Sequence, residues 1–274
     1  MGAGPEHFIK SGLVQLLQDE GYEVQVETVE AESSFRAEIK TAFELCRLLA
    51  ERVREAYSKG IFPLVLSGNC NNSLGTLAGL VESNLAMIWF DAHGDFNTPE
   101  TVESSFLDGM GMAIAAGRCW RKIAATIPGF RPLPDANIIH VGGRDFDPEE
   151  TLLLESSGIG VIKAETIRRS SMRVALEASL EALRARVQKV YVHVDLDVLD
   201  PAETPANSYA GRVPNGLAVE QIEQAIRIIG ERFPICASTV ASYDPQYDKN
   251  GQTFQAGVRI VKSILATNHG EAVS

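Results

Sequence analysis

The sequence predicts a single three-layer α/β/α domain over residues 1–274, built on a mostly parallel central sheet. Three observations carry the prediction. Short runs that are apolar on both faces recur along the chain, as expected of parallel strands covered by helices on each side. Segments with apolar residues at helical intervals alternate with those runs. Two of the runs end in acidic side chains two positions apart, which in extended chain point the same way.

Taken in order, Pro5 to Glu20 has a helical period (Phe8, Ile9, Leu13, Leu16, Leu17) after a Gly-Pro start suited to a helix N-terminus. Tyr22 to Val29 alternates through Val24, Val26 and Thr28 and predicts a strand near an edge. Phe35 to Lys59 predicts a long helix through Phe43, Leu45, Leu48, Leu49, Val53 and Ala56, closed by Gly60. Strands are then predicted at Phe62–Leu66, Ala86–Phe90, Asn137–Val141, Gly158–Ile162, Val190–Val194 and Ile235–Val240, with helices or loops between them. Pro201 to Val213, rich in Pro, Ala and Asn, is expected to be an active-site loop, because acidic residues precede it and the α/β rhythm resumes after it.

Composition narrows the function. With 274 residues, 45% of them hydrophobic, the chain can bury a substantial core. A formal net charge of −11 argues against nucleic acid or an anionic membrane as partner and favours a small soluble substrate. Cys46, Cys70, Cys119 and Cys236 lack paired short spacing, so neither a disulfide framework nor a zinc ribbon is indicated. The N-terminus has no basic segment followed by an apolar core, and no run reaches the roughly eighteen apolar residues of a membrane helix. A cytoplasmic protein is expected.

The chemistry concentrates in two segments. In Trp89-Phe90-Asp91-Ala92-His93-Gly94-Asp95-Phe96-Asn97, the side chains of Asp91, His93 and Asp95 converge at the end of an apolar strand. In Tyr191-Val192-His193-Val194-Asp195-Leu196-Asp197-Val198-Leu199-Asp200-Pro201, Asp195 and Asp197 do the same. His193 shares their face but lies deeper in the strand, where a hydrogen-bonded core or supporting histidine is expected rather than a ligand. One such acidic pair alone commonly caps a helix or solvates a loop. Two sets together suit two oxygen-loving divalent ions, with one carboxylate from each strand bridging them.

These two segments resemble the signatures of the arginase/agmatinase (ureohydrolase) family. Ser67-Gly68-Asn69-Cys70 is similar to its GGDH turn, and Gly143-Arg144-Asp145-Phe146-Asp147 to its GxRDxD segment. The resemblance implies a dinuclear site, with manganese as the usual metal. Asp91 and Asp195 would bridge the ions, His93 and Asp197 complete one, and Asp95 and Cys70 the other. It further implies that a hydroxide bridging the ions attacks a planar amidino carbon, with Asp95 carrying a proton to the leaving amine. Asn97, Ser104, Asp147 and Glu150 match positions that read an amino-acid head group. A homo-oligomer, trimeric or hexameric, is also implied.

Departures from the family pattern bear on specificity. Cys70 replaces a histidine ligand, and a thiolate favours zinc or iron over manganese, unless Cys70 is simply a small buried residue. Cysteine there, followed by Asp95 to Thr101, is similar to the Nω-hydroxyarginine hydrolase branch. Ser242 replaces a glutamate that pairs with the guanidinium, which weakens binding of a cationic tail. Asp108 replaces a proton-shuttling histidine; it is the candidate to supply the lost charge, with a solvated loop aspartate as the alternative. Relatives usually open with a strand before the first helix, whereas Gly2-Ala3-Gly4-Pro5 begins at once, so a first strand is expected to be missing or trimmed. The sequence expectation is a metal-dependent C–N hydrolase of small guanidino or amidino substrates such as Nω-hydroxyarginine or arginine. Two alternatives remain open: an impaired relative serving as a binding or assembly module, and a deacetylase-like amide hydrolase with one ion on Asp91, His93 and Asp197.

Overall fold

The computed structural model describes residues 2–34, 37–204 and 213–268. Two short helices open it, α1 (Gly4–Lys10) and α2 (Leu13–Asp19), followed by the long α3 (Glu38–Ser58). Then come β1 (Leu64–Leu66), α4 (Ser73–Leu80), β2 (Leu85–Phe90), α5 (Gly111–Ala115), α6 (Arg121–Ala124), β3 (Ile138–Val141), α7 (Pro148–Glu155) and β4 (Gly160–Ile162). The remainder is α8 (Ala164–Arg169), α9 (Met172–Leu183), β5 (Lys189–Asp195), α10 (Val219–Gly230), β6 (Ile235–Ala241) and α11 (Gln252–Ala266).

Among the described residues six strands pair in parallel, in the order β1-β6-β5-β2-β3-β4. Alternation along each strand divides the core in two. Ala86, Ile88 and Phe90 join Val190, Val192 and Val194 on the face covered by α1, α2, α9, α10 and α11. Leu85, Met87, Trp89 and Tyr191 face the other way, against α3, α4 and α5. Each layer therefore has apolar surface to bury, which is why β2 is wholly buried and reads as an unbroken apolar run.

Helices α3 and α4 lie unusually close. A Cβ on Gly75 would come within 2.7 Å of the Cys46 carbonyl oxygen, and one on Gly79 within 2.5 Å of Val53 Cβ. That close approach seats the start of α4, and with it the Cys70 turn, against the sheet.

Two expected elements differ. The predicted helix from Pro5 to Glu20 breaks in two at Gly12, whose φ of 94° is left-handed and ends one helical turn before starting the next. The predicted strand from Tyr22 to Val29 runs without regular secondary structure and pairs with no strand. Val24 rests on the core, whereas Val26 is 50% exposed, so the alternation marks a packed surface strap and not a ladder. The sheet has no interior gap; among the described residues no strand precedes α1, and β1 and β4 form the two edges. Of the expected loop from Pro201 to Val213, residues 205–212 lie outside the described residues. Among the described residues no helix is long and apolar enough to cross a membrane.

Candidate metal centre

Strands β2 and β5 are neighbours in the middle of the sheet, with Trp89 beside His193 and Phe90 beside Val194. Their carboxyl ends therefore deliver both acidic segments to one place, the edge where open α/β sheets bind ligands. Asp91 follows β2 directly. Its Oδ2 accepts from Trp89 Nε1 at 3.0 Å and its Oδ1 from the His93 amide at 2.8 Å. Asp195 ends β5, with Oδ1 accepting from the Asp197 amide at 2.7 Å. Its Oδ2 accepts from the Cys70 thiol at 2.8 Å and from the Ser242 hydroxyl.

Among the described residues two groups of ligand atoms form, each spanning no more than 4.8 Å: Asp91, His93 and Asp197 in one, Cys70, Asp91 and His193 in the other. Asp91 belongs to both, as a bridging carboxylate should. His93 Nδ1 stands 3.0 Å from Asp197 Oδ2 and 3.5 Å from Asp91 Oδ1. Asp95 adopts a left-handed backbone (φ 47°), and its Oδ2 is buried without a hydrogen-bond partner. Such strain in a non-glycine residue is characteristic of sites where geometry serves function.

Electrostatics describe a pocket short of positive charge. Burial, reinforced by neighbouring carboxylates, pushes Asp91 up to about 6 and holds Asp95 and Asp195 well above the ordinary carboxylate range. Burial and Asp195 likewise push the Cys70 thiol up. Burial opposes charge on His93 and Asp197 as well, but their mutual attraction prevails, raising the imidazole and lowering the carboxyl. Buried Asp91, Asp95 and Asp195, the His93–Asp197 pair and the orphaned Asp95 oxygen fit a site for divalent cations, whose charge would favour ionised carboxylates and a neutral imidazole.

The residues expected to read substrate divide by position. Asn97 is buried and donates to Asp147 Oδ2 at 2.8 Å while accepting from Thr101 Oγ1 at 2.9 Å. Ser104 is exposed, its hydroxyl accepting from the Phe106 amide at 3.2 Å. Glu150 is buried, and its oxygens accept from the amides of Phe96 (2.8 Å) and Asp147 (3.3 Å). A Cβ on Gly94 would come within 2.4 Å of that carboxyl group, so Glu150 braces the loop from Asp91 to Asn97 from below. Asp108 is buried rather than solvated. It accepts from the Asn71 amide and from Asn69 Nδ2, both at 3.0 Å, and so holds the turn that carries Cys70. Ser242, on a left-handed backbone (φ 63°), is also buried and points its hydroxyl at Asp195.

Sequence reasoning passed over three supporting residues. Trp89 orients Asp91, a role legible only in its place two positions earlier on the same face. His140 shares a hydrogen bond of 2.6 Å with the His93 carbonyl oxygen; burial drives its own imidazole down to about 4, so it stays neutral and donates through Nε2. Arg144 fans its guanidinium over the carbonyl oxygens of Asp197 (2.8 Å), Val198 (3.1 Å), Leu199 (3.2 Å) and Val213 (3.0 Å). Its sequence signal was its place in the GxRDxD-like segment after β3, at the same end of the sheet, which did not reveal what its side chain holds.

The fold and this site together define a parallel α/β protein that gathers carboxylates and imidazole at the ends of its middle strands. The Arginase family model matches residues 3–267. An arginase of Bacillus subtilis (strain 168) is 30% identical over 274 residues, covering 96% of this chain and 90% of its own length. Arginase crystal structures from Bacillus cereus and Bacillus subtilis superpose with TM-scores of 0.87 and 0.88, at 27% and 28% identity; each comparison covers 96% of this chain and 91% of the other. The chain belongs to the arginase family of ureohydrolases, hydrolases of guanidino compounds.

Proposed function

We propose that this chain hydrolyses a guanidino C–N bond in a small amino-acid-like molecule, with Nω-hydroxyarginine preferred over arginine. The observation that carries the reading is Asp91 grouped with His93 and Asp197 on one side and with Cys70 and His193 on the other, at the ends of β2 and β5, with buried Asp95 and Asp195 under the charge of Asp91. Two divalent ions held there supply Lewis acidity and a water activated near neutral pH. Manganese is the metal of the family resemblance, and the Cys70 thiol favours zinc or iron. Asp91, Asp195, His93, Asp197, Asp95 and Cys70 would hold them.

The protein's own groups do the rest. Asp95, whose buried oxygen has no hydrogen-bond partner, would accept a proton from the attacking water and deliver it to the leaving amine. Asn97 and Asp147, joined by a hydrogen bond, and the exposed Ser104 would offer polar atoms to an amino-acid head group. Glu150 keeps them in register through Asp147 and Phe96. Ser242 offers the tail no negative charge, and the Asp108 carboxyl is committed to Asn69 and Asn71. A guanidinium entering this pocket would lack a dedicated carboxylate, which favours the less basic hydroxyguanidino group.

A panel assay tests this: urea, hydroxyurea or free amine release from arginine, Nω-hydroxyarginine, agmatine and guanidino acids, with manganese, zinc, iron and nickel each supplied. Hydroxyurea release from Nω-hydroxyarginine is expected to lead. Equal turnover of arginine would overturn the substrate preference, and no hydrolysis with any metal would overturn the enzyme. The compact Asp91–His93–Asp197 group favours a second reading, a one-ion amide hydrolase. Release of free amine from acetylated amines, indifferent to Cys70→Ser, would establish it.

A further inference from the structure

We propose that His193 is a direct metal ligand, which gives the ion facing Cys70 a donor set of thiolate, imidazole and carboxylate. The inference rests on the two-ion reading above and adds to it a ligand from the strand interior. The expectation from sequence was a supporting histidine, because His193 lies two residues deeper in β5 than Asp195. Three observations point further.

The first is an unmet valence. The His193 ring is fully buried; Nδ1 lies 2.8 Å from Ser73 Oγ, and Nε2 has no hydrogen-bond partner. A neutral imidazole that donates to Ser73 through Nδ1 leaves the Nε2 lone pair buried with no protein donor, a costly arrangement that a cation at Nε2 would relieve. The second is proximity. A ring nitrogen of His193, Cys70 Sγ and an Asp91 carboxylate oxygen lie within 4.8 Å of one another. Ligand atoms around one tetrahedral ion with bonds of about 2.0–2.3 Å sit roughly 3.5 Å apart, so modest side-chain adjustment closes the set.

The third is that the ring is held as a ligand would be. It stacks on Trp89 with ring centroids 3.7 Å apart and planes 25° from parallel. The same indole donates to Asp91 Oδ2, so one side chain sets the positions of two donors. Ser73, at the start of α4, serves the other ring nitrogen as an outer hydrogen-bonding partner, the arrangement that fixes tautomer and orientation in metal-bound histidines. Cys70 lies three residues before Ser73, so the thiol and the partner of the imidazole arrive on one turn. A sulfur and an imidazole nitrogen beside Asp91 and Asp195 select a borderline ion such as zinc or iron(II) over manganese.

Crystals of the full chain grown with zinc, measured on both sides of the zinc edge, test this directly. An ion is expected about 2.0–2.3 Å from both His193 Nε2 and Cys70 Sγ. In solution, competition with a chromophoric chelator is expected to show zinc affinity falling at least a hundredfold in His193→Phe, which keeps an aromatic ring on Trp89. Zinc bound by Cys70, Asp91 and Asp195 with His193 beyond bonding distance would overturn the inference and leave the proposed function standing. Absence of zinc and manganese alike from Asp91 and Asp195 would overturn both. The crystal measurement needs only the unaltered chain, so it decides the matter even if His193→Phe folds poorly.

Discussion

Cys70 and Glu150 show how much one side chain controls here. The Cys70 thiol touches Asp195 and Ser242 and nothing cationic, so the chemistry of that donor sets which ion the pocket prefers. Cys70→His is expected to raise manganese affinity on the order of tenfold relative to zinc, read by competitive metal titration. Glu150 titrates under different rules. Burial lifts it from 4.5 to about 7, so between those values the folded chain holds a proton that the unfolded chain has released. Its contribution to stability is complete below about pH 4.5 and is lost as pH rises through about 7, a change of about 3 kcal/mol. Denaturation of metal-free wild type and Glu150→Gln across that range should show their stability difference moving against the wild type with rising pH. A constant difference would mean that Glu150 is already ionised at pH 5.

At the scale of elements, the site depends on how closely its parts are packed. Alanine usually strengthens a helix relative to glycine by about 1 kcal/mol. Gly75→Ala should do the opposite, because the added methyl meets the α3 backbone at Cys46; a loss of about 1–3 kcal/mol in chemical denaturation is expected. Stabilisation would show that α3 and α4 can separate freely. The segment after β5 is tied down differently, by Arg144 reaching its successive carbonyl oxygens. A lysine offers a point charge in place of a planar fork. Arg144→Lys is therefore expected to weaken metal binding about 10–100-fold through Asp197, with the fold retained by circular dichroism.

For the whole molecule, the proposed metal centre would join the two middle strands to the Cys70 turn and so couple ion binding to folding. An ion present at a hundred times its dissociation constant stabilises the folded state by about 2.7 kcal/mol. Chelation should lower the thermal midpoint, and restoring the preferred ion should recover it in a concentration-dependent way; an unchanged midpoint would place the ions outside the folding unit. The two cores on either face of the sheet explain why such a strained, acidic edge is tolerated: the apolar layers supply stability away from the chemistry.

The sequence by itself determined the alternation of strands and helices and the parallel sheet, and it singled out Asp91, His93, Asp95, Asp195 and Asp197 as candidate ligands. Those follow from local periodicity, since a strand of period two places alternate side chains on one side and a fully apolar run implies burial on both. Tertiary structure decided what periodicity does not encode. It left Tyr22 to Val29 without a partner strand, turned Glu150 and Asp108 into braces under the loops they serve, and set Ser242 against Asp195. It also brought Ser73, Trp89 and Cys70 around His193. Each of these outcomes depends on which distant segment arrives alongside, and hydrogen-bond partners 125 residues apart, as Cys70 and Asp195 are, leave no repeating signal in the chain.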